Sequence, residues 1–485
     1  MAGPVTDGKA TGAKKEPHYS VADRMNRIPT SPHTTLIIFF VLMGWFAETI
    51  DLGGTSFLMP TIREYFGMDA TTGGYYSSIC FLGMFIGAIA AGRIADKVGR
   101  KMTIVVSMFI WGVAGFALVA SPNVYYLFAM RFILGLGLGA QFPVALSYLS
   151  ELVSGKDRPK FMTLYQLMTP VGFAVAGVLT VLILPHFDWR GVYLAEALPA
   201  LFVIGIIKCC PESPLWLEAK GRWEEADAIC TKFEQEAIAR HKELPPVEVI
   251  ERVQTKATFK DLFSSKYLKV TILCFFVWFI SMFSDYGLTT WLTTILIEKG
   301  FDVVQSTGFV TIGILGGIPA WFFSTWAAKK FGRKKTFLIA GLCTSIFGIA
   351  YGASTTLVML IITGILYQFG KYLNAMMMAL YTPELYETSI RTTGNGLATS
   401  WGRMGSIIGP IVLAGVMTSF GVYTTMYIAA AMVIIPGLLV FLIGPETKDK
   451  KFLSATTVFK PHSADGGGLR PFPVQTRHRR EKRRR

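Results

Sequence analysis

Long apolar runs recur through this chain, each able to cross a lipid bilayer as a helix. A crossing takes roughly 18 or more nearly uncharged residues, and an unbroken run of that length satisfies its backbone polar groups as a helix. We read twelve such spans, at about 34–59, 73–91, 102–120, 124–151, 161–184, 190–209, 268–297, 305–328, 336–354, 357–381, 393–418 and 422–444. Only 16% of the residues are charged, against roughly 25% in ordinary soluble domains. The expected fold class is an all-α membrane protein with twelve transmembrane helices.

The loops fix its orientation. "GRIADKVGRK", "SGKDRPK", "KKFGRKK" and "ETSIR" follow spans 2, 4, 8 and 10, while no Lys or Arg follows spans 3, 9 and 11. By the positive-inside rule both termini and the central loop are cytoplasmic. The expected organisation is a cytoplasmic N-tail (1–33), a six-helix half (34–209), a cytoplasmic helical linker (210–267), a second six-helix half (268–444) and a basic cytoplasmic C-tail (445–485). The first thirty residues contain no apolar core and do not read as a cleavable signal. The expected location is the plasma membrane, the inner membrane in a Gram-negative cell.

The formal net charge is +15, and the last sixteen residues carry eight Arg or Lys and one Glu. Basic residues that flank spans point to anionic lipid, not to nucleic acid. The six cysteines lie mostly in or beside spans without metal spacing and read as small buried apolar groups.

The halves superpose in sequence. Gly99-Arg100-Lys101 matches Gly332-Arg333-Lys334 at an offset of 233, as do Tyr148 with Tyr381, Glu151 with Glu384 and Arg158 with Arg391. Asp51 matches Asp285, and Pro211-Glu212 matches Pro445-Glu446, at 234. Two six-helix pseudo-repeats of one orientation imply a two-fold axis along the membrane normal, with substrate held between the halves.

"GRIADKVGRK", through Gly92, Asp96, Gly99, Arg100 and Lys101, resembles the signature loop of the major facilitator superfamily. The resemblance covers roughly 33–448. Within it, "GWFAETIDLGG" and "YTPELYETSIRTTGNGLATSWGRMGSIIGP" resemble bacterial proton symporters of aromatic acids and related metabolites. "PESPLWLEAKGRWEEA" and "PETK" resemble sugar porters, with Leu215 in place of the usual Arg. The resemblance implies that Asp96, Arg100, Lys101 and Glu151 form a charge relay latching an outward-open state. Lys329 stands where the second copy would carry its acid, so Asp96 has no twin.

Ionisable residues inside spans are costly and are functional candidates by default. They are Glu48, Asp51, Arg131, Glu196, Asp285, Lys371 and Arg403. Glu48 and Asp51, three apart, share a helix face. Asp51 and Arg131 lie at similar depth, roughly 12 and 10 Å from the outer ends of spans 1 and 4, so Arg131 is expected to pair with one of the two acids. The other acid, less compensated, suits a proton carrier. Asp51, with its symmetry mate Asp285, is the favoured proton site. Lys371 and Arg403 lie near the midplane and suit an anionic substrate, with pairing to Asp285 or Glu196 as struts the alternative. Tyr367, Gln368, Asn374, Gln141 and Gln166 are expected to add hydrogen bonds, and Tyr286 and Trp291 to face the cavity.

The leading expectation is proton-coupled symport of a small organic anion, aromatic or another carboxylate, by alternating access. The alternatives are a sugar or polyol porter, or a membrane sensor that binds a metabolite without moving it. No histidine lies within a span and no nucleophile–base or metal-ligand set appears, so an enzyme is not expected. No metal or organic cofactor is expected; the proton is the coupling ion, and a small molecule and the bilayer are the partners, with no obligate protein partner.

Overall fold

A computed structural model describes residues 20–240, 244–247, 259–387 and 390–448. The C-terminal tail beyond Lys448 lies outside the described residues. Helices α1 (Val21–Arg27), α2 (Pro32–Phe66), α3 (Ala70–Val98), α4 (Arg100–Val119), α5 (Val124–Leu152), α6 (Arg158–Ala197) and α7 (Val203–Cys209) build the first half. α8 (Pro214–Ala219) and α9 (Trp223–Ile238) follow it in the linker. The second half comprises α10 (Leu268–Ile297), α11 (Val303–Ile314), α12 (Gly317–Phe331), α13 (Arg333–Ala353), α14 (Leu357–Glu384), α15 (Arg391–Phe420), α16 (Val422–Met432) and α17 (Ile434–Leu442).

Among the described residues, eleven helical stretches are long and apolar enough to cross a membrane. The longest, Arg158–Cys209, has 52 residues, about 78 Å at about 1.5 Å per residue, more than twice the hydrocarbon thickness of about 30 Å. It is broken at Asp188, where φ is 57°, and so supplies two passes, twelve in all. The Asp188 carboxylate accepts from the N–H of Trp189 at 2.7 Å, giving the break a local partner. Two other passes are interrupted. Gly316, between α11 and α12, lies so close to α14 that a Cβ there would stand 2.2 Å from the Ile365 carbonyl. α16 gives way to α17 four residues ahead of Pro436, which has no N–H for the Met432 carbonyl.

Within the first half, glycines set how closely helices approach. A Cβ at Gly87 would lie 2.1 Å from the Leu136 carbonyl, and one at Gly139 2.0 Å from the Met84 carbonyl. α3 and α5 therefore touch backbone to backbone, which larger residues forbid.

The two halves meet away from the face that carries Arg100 and Arg333, which we term the basic face. At the opposite end, Gly74 of α3 rests on the Pro410 carbonyl and Ala414 of α15, and Gly177 of α6 on Thr311 of α11. The Arg63 guanidinium of α2 lies over the Trp291 ring of α10, 5.5 Å from its centroid. Nearer the basic face the halves part around a cavity.

That face carries a duplicated set of contacts. Gly99 and Gly332 have φ of 111° and 85°, a region that favours glycine, and each precedes a helix. The Glu212 carboxylate accepts from the N–H groups of Arg100 and Lys101 at 2.8 and 3.0 Å. Glu446 accepts from those of Arg333 and Lys334 at 3.0 and 3.3 Å. Arg100 pairs with Glu151 at 3.3 Å and Arg333 with Glu384 at 2.7 Å. The Tyr148 and Tyr381 hydroxyls donate to the carbonyls of Pro211 and Pro445. The matches at offsets of 233 and 234 thus recur as matching geometry. Asp96 pairs with Arg100 at 3.1 Å, with its side chain 74% exposed, and a Cβ at Gly92 would meet nothing. Lys101 donates to the Ile207 carbonyl at 2.9 Å. Each of these contacts joins one half to itself or to the segment that follows it, and none of them crosses to the other half. Arg158 is exposed, and Arg391 donates to the Tyr386 carbonyl at 3.4 Å.

Candidate functional site

The residues of "AETIDLGG" occupy the centre of the first half. Glu48 and Asp51 are 0% and 5% exposed, one turn apart on α2. Arg131 on α5, 1% exposed, donates to Asp51 Oδ1 at 2.9 Å and to the Thr55 hydroxyl. The pair is thus made with Asp51, not Glu48. Arg131 also lies over the Tyr76 ring, 5.8 Å from its centroid, and the Tyr76 and Tyr193 hydroxyls share a hydrogen bond of 2.9 Å.

Glu196 enters this cluster from α6. It occupies the room left by Gly54, where a Cβ would lie 1.6 Å from Glu196 Oε1. Neither oxygen of Glu196 or of Glu48 has a hydrogen-bond partner among the described residues.

The cavity between the halves, counted together with the open solvent at its mouth, holds about 1040 Å³ of atom-free space. Trp45, Phe142 and Gln166 line it from the first half. Trp278, Asp285, Tyr286, Trp321, Lys371 and Arg403 line it from the second. Nine of its nineteen lining residues are aromatic or methionine. Trp45 stacks on Tyr165 with centroids 5.3 Å apart and donates to Thr169 at 3.2 Å; Met282, Met376 and Met378 complete the other side. Methionine adapts to ring faces and edges.

The two cations expected to meet substrate differ. Lys371 pairs with Asp285 at 2.7 Å and donates to the Thr289 hydroxyl at 2.8 Å. Arg403 has no hydrogen bond or ion pair among the described residues.

The remaining sequence candidates scatter. Tyr367 and Asn374 line a smaller pocket beside the Asp285–Lys371 pair. Gln141 is committed elsewhere: its carbonyl accepts from the Trp111 indole at 2.8 Å, and it lies 1% exposed. Gln368 is buried against Gly313. Trp291 is fully buried beneath Arg63 and donates to the Pro410 carbonyl at 3.1 Å. None of these three lines the cavity. The sequence did not single out the aromatic residues of the wall other than Tyr286, or the Trp321 indole N–H, which has no hydrogen-bond partner among the described residues. Aromatics are scattered through every span, and no spacing separates wall from packing.

Comparisons with known proteins bear on the family and the fold. Residues 37–459 match the family described as "Sugar (and other) transporter". The niacin transporter of Acinetobacter baylyi is 33% identical over 442 residues, 89% of this chain and 98% of that protein. The 4-hydroxybenzoate transporter of Pseudomonas aeruginosa is 28% identical over 393 residues, 79% of this chain and 86% of that protein. A partially occluded, inward-open structure of the Escherichia coli xylose transporter superposes with a TM-score of 0.65 at 16% identity, covering 85% of this chain and all of that one.

Proposed function

The chain belongs to the sugar (and other) transporter family, of the major facilitator fold, and we propose that it carries a small aromatic carboxylate across the membrane together with a proton. It is a transporter, not an enzyme, and a multi-pass membrane protein. The observation that carries the reading is Arg403: a guanidinium without an ion pair among the described residues, in a cavity walled by aromatic rings. A fork of N–H donors matches a carboxylate, and ring faces and methionines match an aromatic ring. Two relatives, named for niacin and 4-hydroxybenzoate, support this substrate class.

Lys371 acts as a strut to Asp285, and Gln166 and Trp321 supply hydrogen bonds to the substrate. Asp51 is the permanent partner of Arg131, which moves the proton role to an acid without a partner, with Glu48 ahead of Glu196. The basic face is the cytoplasmic one, in the plasma membrane, so the cavity opens inward. A sugar or polyol substrate has in its favour the family's breadth and the likeness to the xylose transporter, but a neutral sugar would leave the charge of Arg403 without a counter-charge.

Binding to the purified protein tests the reading. Nicotinate and 4-hydroxybenzoate should bind, while xylose, glucose and nicotinamide should not. Arg403→Lys should weaken the carboxylates about tenfold or more, since one charge-assisted hydrogen bond is worth about 1.5–3 kcal/mol. Tighter binding of a sugar, or equal loss for neutral ligands in Arg403→Lys, sinks it.

A further inference from the structure

We propose that the carboxylate this chain carries bears a hydroxyl on its ring, and that a polar side pocket built around Ser281 and Asn374 receives that hydroxyl. This rests on the reading of Arg403 as the receptor of the carboxylate and adds a second point of recognition, for the ring substituent.

The side pocket lies between α10, α13 and α14, with Val433 at the break between α16 and α17 among its lining residues. Met282, Asp285, Lys371, Ala375 and Met378 line both it and the main cavity, so the two spaces adjoin. Ser281 and Asn374 line the side pocket and not the main cavity. They are 3% and 5% exposed, and neither Ser281 Oγ nor Asn374 Oδ1 has a hydrogen-bond partner among the described residues.

The helix register brings the two together. α10 begins beside the end of α14, where Lys266 pairs with Glu387 at 2.6 Å, so these helices run antiparallel. Asp285 of one pairs with Lys371 of the other at 2.7 Å. One turn from that pair toward the basic face stand Ser281 on α10 and Asn374 on α14, four and three residues along and therefore on the same helix faces as the pair. Neighbouring polar groups are already committed. Lys371 donates to Thr289 as well as meeting Asp285, and the Thr344 hydroxyl donates to the Ala340 carbonyl at 2.7 Å.

The chemistry of the two free groups selects the guest. The Asn374 carbonyl only accepts, and the Ser281 hydroxyl can donate. A ring hydroxyl donates to the first and accepts from the second. A methoxy group or a ring nitrogen only accepts and leaves Asn374 unsatisfied; a bare ring C–H leaves both so. A site built to bond a hydroxyl discriminates against the analogue that lacks it, because its own buried groups are then left unpaired. The side pocket is much the smaller of the two spaces, so it takes the substituent while the ring stays among the aromatic and methionine side chains of the main cavity.

The test is binding of benzoate, 3-hydroxybenzoate, 4-hydroxybenzoate and the two matching methoxybenzoates to the purified full-length protein. At least one hydroxybenzoate should bind about tenfold or more tightly than benzoate, as one or two net hydrogen bonds allow, and its methoxy counterpart should not share the gain. Ser281→Ala and Asn374→Leu should each shrink that ratio toward one. Ser281→Ala removes a single oxygen, so the ratio can be read even where Asn374→Leu does not fold. Equal losses for benzoate and the hydroxybenzoate, with the ratio kept, would assign the two residues to packing and overturn the subsite. Wild-type protein that binds benzoate as tightly as both hydroxybenzoates would make water the occupant and overturn it too, with the reading of Arg403 left standing. No binding of any of these carboxylates overturns that reading and the subsite with it.

Discussion

Arg131 is 1% exposed, and the one carboxylate that touches it is Asp51. Cutting away one partner of such a pair strands the other charge, at a cost of about 3–5 kcal/mol. Arg131→Ala should therefore lower the thermal unfolding midpoint sharply, and Arg131→Ala/Asp51→Ala should recover most of the loss. Strictly additive losses would contradict the pairing. Lys371 and Asp285 should behave likewise, and Lys371→Ala/Asp285→Ala should still bind 4-hydroxybenzoate; a loss as large as that in Arg403→Gln would return Lys371 to the substrate. The acids and cations of this site were legible in the sequence because charge inside an apolar span stands out. Their partners were not. Three residues' separation puts Glu48 and Asp51 on one face, yet which of them meets Arg131 depends on the rotation of α2 against α5. Gln141 shows the same limit: its polarity marked it, but its neighbour across α4 is Trp111, and span spacing does not reveal that.

The helices run past the apolar spans that announced them. α2 extends over Pro32–Phe66 where hydropathy marked 34–59, because hydropathy reports what lipid will tolerate and the helix ends where its hydrogen bonds are capped. Ser31 accepts from the Thr34 N–H at 3.1 Å at one end, and Gly67, with φ of 64°, closes the other. The breaks at Gly316 and before α17 were hidden for the opposite reason, since a kink within a span leaves its hydropathy intact. Off the membrane, α1 is tied to α9 by charge: Arg24 and Arg27 each meet Glu234 at 2.8 Å. Burial works against that carboxylate, but hydrogen bonds from Arg24 and Arg27 prevail and hold it below the ordinary glutamate value. Its stabilising contribution is therefore fully present above the unfolded value of about 4.3 and is lost as pH falls through the lowered folded one. Glu234→Gln should speed amide exchange or proteolysis in α1 at neutral pH, as acidification does in wild type. Unchanged protection would show that apolar contacts alone hold α1.

Across the whole molecule, a cavity open toward the basic face and a closed seam at the other end describe one of the two states that alternating access requires. The seam joins the halves through Arg63 over Trp291 and through Gly74 against Pro410. Arg63→Ala should favour the opposite state, raising the labelling of a cysteine placed at Ser56 by an impermeant thiol reagent applied from the far side. The internal repeat made the two halves and their shared axis legible in sequence, but it could not say which end of the seam closes, because both states use the same chain. The most direct measurement is uptake of labelled 4-hydroxybenzoate into proteoliposomes under an imposed inward proton gradient. The account predicts accumulation above equilibrium that a protonophore collapses and that Glu48→Gln abolishes. Uptake that only equilibrates, or accumulation of a sugar in its place, would contradict it.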